Sequence, residues 1–419
     1  MTTYSIISPQ HLQATIQLPA SKSISNRALI IHALSGEHIL PMNLSDCDDT
    51  EVVLQTLEQM PETINIKAAG TAMRFMTAFL AATEHGEHTL TGTERMKQRP
   101  IKTLVNALRH IGADIRYEGN EGFPPLRIKG QKLDGGSLEI AGNISSQFIS
   151  ALMLIGPNLR KGLTLHLTGN IISRPYIDLT LWMMREFGAE AEWTSVDTIA
   201  IQPKPYTPRE YLIENDWSAA SYWYEMVALS QDPNAEIHLE GLMDGSKQGD
   251  SGVRYLFSLL GVKTTFASKQ PGIPTTVTLC KSNNCVPRLE YDFTNMPDLA
   301  QTFVCTCCAL GVPFHFKGLQ TLRIKETDRI SALKAELAKL GYKLEDYNDS
   351  ELIWDGNYSP ASTLSHIDTY EDHRMALAFA PMALRMPVAI NHPQVVTKSY
   401  PHYWDDLRQA GFKVTSNEG

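Results

Sequence analysis

The 419-residue chain has no apolar run approaching the roughly 20 residues that a membrane-spanning helix needs. That excludes a helical membrane protein. Its first residues, MTTYSIISPQHLQ, lack a charged segment followed by an apolar one. No signal peptide is therefore expected, and the cytoplasm is the expected compartment. A surplus of positive charge is also missing: the formal net charge is −9. This argues against a general binder of nucleic acid or membrane surfaces. It leaves room for a small anionic substrate met by locally clustered basic residues. Cysteine–histidine spacings suited to a metal are absent. Of the six cysteines (Cys47, Cys280, Cys285, Cys305, Cys307 and Cys308), the last three fall inside FVCTCCALG, an apolar helical pattern, and read as reduced core thiols. No Gly-rich phosphate loop of the Walker type occurs.

What is present is a composition of two ordinary domains, 43% hydrophobic and 20% charged. A junction recurs along it, in which an amphipathic helix ends at an apolar residue, then Gly, then an alternating strand. It appears as RHIGADIRY, REFGAEAEW, SLLGVKTTF, AKLGYKLED and RQAGFKVTS, at Gly112, Gly188, Gly261, Gly341 and Gly411. Each Gly suits the left-handed position that ends a helix. Intervals of 76, 73, 80 and 70 residues, the differences between successive positions, indicate an internal repeat. A sixth, degraded copy fits LQTLEQMPETINI, with Met60-Pro61 at the step. One further helix lies between successive junctions. The period is thus two helices and several strands, six times over, in an α/β chain. Three units per domain are expected, with one domain at 21–214 and the other formed by 1–20 plus 215–419. The strand patterns TYSIIS and ATIQLP would then pair in the second domain.

Chemistry-capable residues cluster at helix starts, where unpaired N–H groups and the helix dipole favour anions. In PASKSISNRALIIHALSG, Ser21 or Ser23 can cap, Lys22 sits on the loop and Arg27 one turn in. A capped surface helix explains this cluster equally well. In AAGTAMRFMTAF, Gly70 permits close approach, Thr71 is a good cap, and Arg74 opposes the dipole, which suits an anion or a salt bridge alike. TERMKQRPIKTLVNAL places Arg95, Lys97 and Arg99 before a helix with Pro100 near its first turn. A solvated basic loop is the alternative. ISSQF offers Ser145, Ser146 and Gln147, and ISRPYID offers Ser173, Arg174 and Tyr176. In the second half, Asp298 follows Pro297 and could simply cap a helix. Lys325, Glu326, Asp328 and Arg329 crowd one helix start, His373 and Arg374 open another, and Lys398 precedes a third.

Taken in order, SKSISNR, AGTAMR, MKQRPI, ISSQF, SRPYID, MPD, RIKETDR, DHRMA and TKSYP resemble the 5-enolpyruvylshikimate-3-phosphate synthase family from about residue 18 to 411. The resemblance implies two similar domains of three βαβαββ units each, an inverse α/β barrel. It implies transfer of the enolpyruvyl group of phosphoenolpyruvate to the 5-hydroxyl of shikimate 3-phosphate, with loss of phosphate. That step leads to chorismate and the aromatic amino acids. No metal or organic cofactor is implied, no nucleic-acid or membrane partner is expected, and a monomer is expected. By this resemblance Lys22, Ser23, Arg27, Ser145, Ser146, Gln147, Ser173, Tyr176, Asp298 and Lys325 hold shikimate 3-phosphate. Phosphoenolpyruvate falls to Lys22, Gly70, Arg99, Gln147, Arg329, Arg374 and Lys398. Asp298 is assigned as the base, Glu326 as the group exchanging a proton with the methylene carbon, and Lys22 as a rival for either proton. His373 is assigned to positioning Arg374 or neighbouring groups rather than to donating a proton directly.

Three departures stand out. Ala68 occupies a position where relatives often carry Asn or Ser, Thr321 replaces a side chain that touches shikimate 3-phosphate in some relatives, and the first unit is shortened between about Cys47 and Ala68. Two rival readings remain. One is the related transferase acting on UDP-N-acetylglucosamine, which would want a Cys where Glu94 stands. The other is a non-catalytic anion-binding scaffold, which would have no use for Asp298 and Glu326. Because proposed ligands come from both halves, the reading also expects closure on substrate.

Overall fold

The computed structural model describes residues 2–36, 40–361 and 366–418. The chain divides into two compact units, one of residues 21–213 and one of residues 1–20 with 214–419. Among the described residues, five four-stranded sheets share one plan. The strand Gly136–Ala141 leads into the helix Ser146–Ile155 and returns as the parallel strand Leu163–Thr168. The helix Arg174–Glu186 follows, then a hairpin of Ala191–Trp193 and Thr198–Ile201. The last strand inserts antiparallel beside the second, giving the spatial order first, second, fourth, third. Period-2 patterning explains the packing: Leu138, Ile140, Leu165, Leu167, Ile199 and Ile201 are buried while their neighbours face outward.

The same order recurs in the sheet running from Thr63–Asn65 to Leu126–Lys129 and in that from Leu289–Asp292 to Glu351–Trp354. Two sheets are completed by the N-terminal strands. Gln13–Gln17 pairs parallel with Glu236–Leu242, so the whole 21–213 unit interrupts one repeat. Thr2–Ile7 lies between Val388–Asn391 and Lys413–Glu418, antiparallel to both. The expected sixth copy keeps its two helices, Lys22–Ser35 and Asp48–Gln59, but has no sheet of this kind among the described residues. A single parallel bridge, Met42 to Leu212, stands there.

All five junction glycines are left-handed, with φ between 80° and 104°. At the degraded junction Met60 takes φ 41° and caps the helix through its N–H to Thr56 O, so a non-glycine residue does the work of Gly. The first helix of each repeat is buried on nearly every side: Gly70–Ala82, Ser146–Ile155, Trp217–Leu229, Ala300–Leu310 and His373–Phe379. A helix apolar all round must be enclosed by other elements. Within each unit these helices pack on one another, and the sheets turn their outer faces to solvent. Cys305, Cys307 and Cys308 are buried free thiols of this interior, and burial pushes their ionisation well up. No described helix is long and apolar enough to cross a membrane.

Candidate active site

In the 21–213 unit the helix starts are tied together by their own side chains. Ser21 caps the helix Lys22–Ser35 by accepting from Ile24 N at 3.4 Å. Lys22 points its ammonium at Asp49 Oδ2, 3.1 Å away, at the start of the next helix. Arg27, only 3% exposed, donates to Thr180 Oγ1 at 2.7 Å, Ser23 O at 2.9 Å, Ser150 Oγ at 3.2 Å and Tyr176 O at 3.4 Å. It therefore joins the first two turns of three helices. Each of these partners is a neutral oxygen, and burial pushes the guanidinium pKa down to about 10. A buried cation held by neutral oxygens raises the local potential and favours an incoming anion. Ser145 caps its helix through Gln147 N, and Ser146 and Ser173 are buried beside their helix starts. Ser173 has a left-handed φ of 53°.

Gln147 donates from Nε2 to Thr71 Oγ1 at 3.1 Å, which links the Gly70–Ala82 and Ser146–Ile155 starts. Thr71 is thus not the cap expected: the N-cap is Ala69, and Thr71 lies in the first turn as a hydrogen-bond acceptor. Pro100 also falls earlier than expected, because the helix begins at Lys102 with Ile101 as N-cap. Arg99 is buried against Gly70. A methyl group on that glycine would stand 2.6 Å from Arg99 Nη1, so the close approach is made by a protein guanidinium. Arg74 donates to Gly70 O at 3.0 Å, reaches Pro100 O at 3.4 Å and lies over the Phe148 ring. It braces the Arg99 loop. Lys97 pairs with exposed Glu94.

In the other unit the candidate residues form one charged network. Asp298 does not cap its helix. Its Oδ1 meets Arg329 Nη1 at 3.0 Å and Lys325 Nζ at 3.2 Å, and its Oδ2 meets Arg374 Nη2 at 3.3 Å. Glu326 bridges Arg329 Nη2 at 3.0 Å and Lys398 Nζ at 2.8 Å. Burial alone would raise the Asp298 pKa, but Lys325, Arg374 and Arg329 outweigh it and hold the carboxyl well below its usual range. Burial lowers the Lys325 pKa, reinforced by Arg329 and opposed by Asp298. Thr321, just before this run, carries a buried Oγ1 with no hydrogen-bond partner.

Four further residues, three in this unit and Asp49 in the 21–213 unit, adjoin these candidates and were not singled out in sequence. Asp372 is fully buried, caps Arg374 N at 2.9 Å and grips Arg329 from both oxygens, at 2.7 Å to Nε and 3.2 Å to Nη2. Its N-cap position in YEDHRMA was the available signal. Tyr222 Oη accepts from Arg374 Nη1 at 3.3 Å, and burial raises its pKa to about 12. Asp49 was legible only as one carboxylate in the acidic run SDCDDTE. Asp250 bonds Ser218 Oγ in the interior, and burial raises its pKa to about 6.

These helix-start cations and carboxylates coincide with a known family. The model of the family described as EPSP synthase (3-phosphoshikimate 1-carboxyvinyltransferase) matches residues 6–67 and 55–407. A Bacteroides fragilis 3-phosphoshikimate 1-carboxyvinyltransferase is 58% identical over 416 residues, covering 99% of each chain. One from Vibrio atlanticus is 34% identical, covering 95% of this chain and 97% of that one. The fold matches that of EPSP synthase from Acinetobacter baumannii with a TM-score of 0.79 at 21% identity, each chain covered completely. The chain belongs to the EPSP synthase (3-phosphoshikimate 1-carboxyvinyltransferase) family.

Proposed function

We propose that the chain transfers the enolpyruvyl group of phosphoenolpyruvate to the 5-hydroxyl of shikimate 3-phosphate and releases phosphate, on the route to chorismate and the aromatic amino acids. The observation that carries this reading is the embedding of Asp298 and Glu326 among Lys325, Arg329, Arg374 and Lys398. Four cations suit a phosphorylated carboxylate, and carboxylates among them suit proton transfer rather than anion storage. Arg27, Ser23, Ser145, Ser146, Gln147, Ser173 and Tyr176 are the shikimate 3-phosphate set. Asp298 and Lys325 complete that set; Gly70, Arg99, Arg329, Arg374 and Lys398 are the phosphoenolpyruvate set, and Lys22 and Gln147 serve both substrates.

Asp298 takes the hydroxyl proton and Glu326 exchanges a proton with the methylene carbon, while the cations stabilise the tetrahedral adduct. A carboxylate held by three cations is a weak base. Substrate anions compete for the same cations, so each one they engage loosens that hold and makes Asp298 more basic. The related UDP-N-acetylglucosamine transferase is not favoured, since Glu94 stands where that enzyme carries its reactive Cys.

The purified chain given both substrates should release inorganic phosphate in a coupled assay. Activity with UDP-N-acetylglucosamine and none with shikimate 3-phosphate would overturn the reading. Lys22→Ala and Glu326→Ala should fold yet lose about 10² or more in kcat, the usual contribution of a proton-transfer group. Unchanged turnover in both would remove those roles. The enzyme acts as a cytoplasmic monomer in this reading, which sedimentation of the purified protein and cell fractionation test.

A further inference from the structure

Residues 366–371 run directly into Asp372, and they hold an unusual backbone. Tyr370 and Glu371 are consecutive left-handed residues, with φ of 52° and 56°. Such a conformation is costly for L residues and persists only where neighbours enforce it. Here the enforcement comes from the helix Arg329–Lys339. Its Glu336 is completely buried, accepting from Tyr370 Oη at 2.6 Å on one oxygen and from Asp368 N at 3.0 Å on the other. Lys339 Nζ donates to that second oxygen at 2.6 Å, to Asp368 Oδ2 at 2.9 Å and to His366 O at 3.1 Å. From the other side Asn391 donates to Asp368 Oδ1 at 2.7 Å and accepts on its backbone oxygen from Thr369 Oγ1 at 3.1 Å. The turn closes with Asp372 N donating to Thr369 O at 2.8 Å.

One helix therefore grips the segment twice. Arg329 at its first residue binds Asp372, and Glu336 two turns later binds Tyr370 and Asp368. Asp372 takes Nε and one N–H of Nη2 of Arg329. With Asp298 on Nη1 and Glu326 on Nη2, four of the five guanidinium N–H groups are committed, and the plane of the fork is set by where Asp372 stands. The same carboxylate caps Arg374 N and so starts the helix that carries the second arginine.

We propose that Tyr370 and Glu336 are positioning residues for phosphoenolpyruvate. They hold the left-handed turn that places Asp372, and Asp372 in turn orients Arg329 and Arg374. The proposal rests on the functional reading above for the identity of the anion, but the geometry it describes is a property of this unit alone.

Tyr370→Phe removes one oxygen from a half-exposed ring and is the direct test, with Glu336→Gln as a second variant. Tyr347→Phe, which breaks a tyrosine–glutamate bond to Glu345 away from this segment, is the control. With wild type active, Tyr370→Phe should raise KM for phosphoenolpyruvate about fivefold and change KM for shikimate 3-phosphate less than twofold, with the control unchanged. The Nε–H resonance of Arg329, assigned by its loss in Arg329→Lys, should shift or exchange faster in both test variants. A fall in thermal midpoint with both KM values and that resonance unmoved would show a purely structural bond and overturn the proposal. Inactive wild type would instead defeat the functional reading, and the Arg329 resonance would then decide the positioning role by itself.

Discussion

Among single residues, Gly70 and Asp250 make the sharpest demands. Gly70→Ala sets a methyl group 2.6 Å from Arg99 Nη1, and because Arg99 is buried its guanidinium has little room to retreat. The helix itself should gain from Ala, so the protein should stay folded while KM for phosphoenolpyruvate rises about tenfold, equivalent to about 1.4 kcal/mol. Steady-state kinetics with each substrate varied in turn would show it, and an unchanged KM would mean that Arg99 does not bind that substrate. Asp250 concerns pH. Burial raises its folded pKa to about 6, so the folded state holds the proton more tightly than the unfolded chain does. Its stabilising contribution is complete below about pH 4 and is lost as pH rises through about 6. Asp250→Asn should remove a fall in stability on the order of 3 kcal/mol across that window, read from urea midpoints at a series of pH values. Gly70 and Arg99 were both singled out in sequence as candidates, but their contact was not legible, because it joins a helix start to a loop that local pattern does not orient. Asp250 lay outside every recognisable motif. Only tertiary burial turns an ordinary Asp into a group that titrates near 6.

At the level of the element, the helix-ending junctions supply a matched pair of experiments. Gly112 has φ 104° with open space where a Cβ would go, so Gly112→Ala meets backbone strain and no collision. Met60, the left-handed C-cap of its own helix, has φ 41° and already bears that strain. Gly112→Ala should therefore destabilise by about 1 kcal/mol, while Met60→Gly should stabilise by about 0.5 kcal/mol after the greater freedom of Gly in the unfolded chain is subtracted. Calorimetric midpoints moving in opposite directions would confirm the pair, and the same direction for both would mean that Met60 does not stand in for glycine. The repeat itself was legible because helix-ending glycines leave a fixed signature at near-constant spacing. The absence of a sixth sheet was not legible. The shortened unit preserves its helical periodicity, and nothing local announces that only Met42 and Leu212 bridge there. Cap positions were also off by one or two residues at Thr71 and Pro100, since several residue types can begin a helix and side-chain partners decide among them.

For the whole molecule, the decisive element is the strand Thr2–Ile7. It is an interior strand, and among the described residues Lys413–Glu418 has no other neighbour in its sheet. Deleting residues 1–8 should therefore strip the sheet of two strands and abolish cooperative unfolding, as followed by circular dichroism. A deletion variant that melts like wild type would refute that dependence. The antiparallel register sets Thr2 opposite Glu418, so a short turn could join them. Pairing of the N-terminal strands with late ones was suggested by their pattern, whereas the particular partners depended on the fourth strand of each repeat inserting second from the edge. Synthesis gives this arrangement a further consequence. The nascent chain exposes the strand Thr2–Ile7 while the nearly 400 residues that separate it from its partners are still to be added, an interval on the order of half a minute at typical ribosomal speeds. Through that time Thr2–Ile7 waits for its two partners, Val388–Asn391 and Lys413–Glu418, far along the chain. The 21–213 unit can mature before these partners are made, whereas its companion must be kept from pairing elsewhere until both strands have emerged.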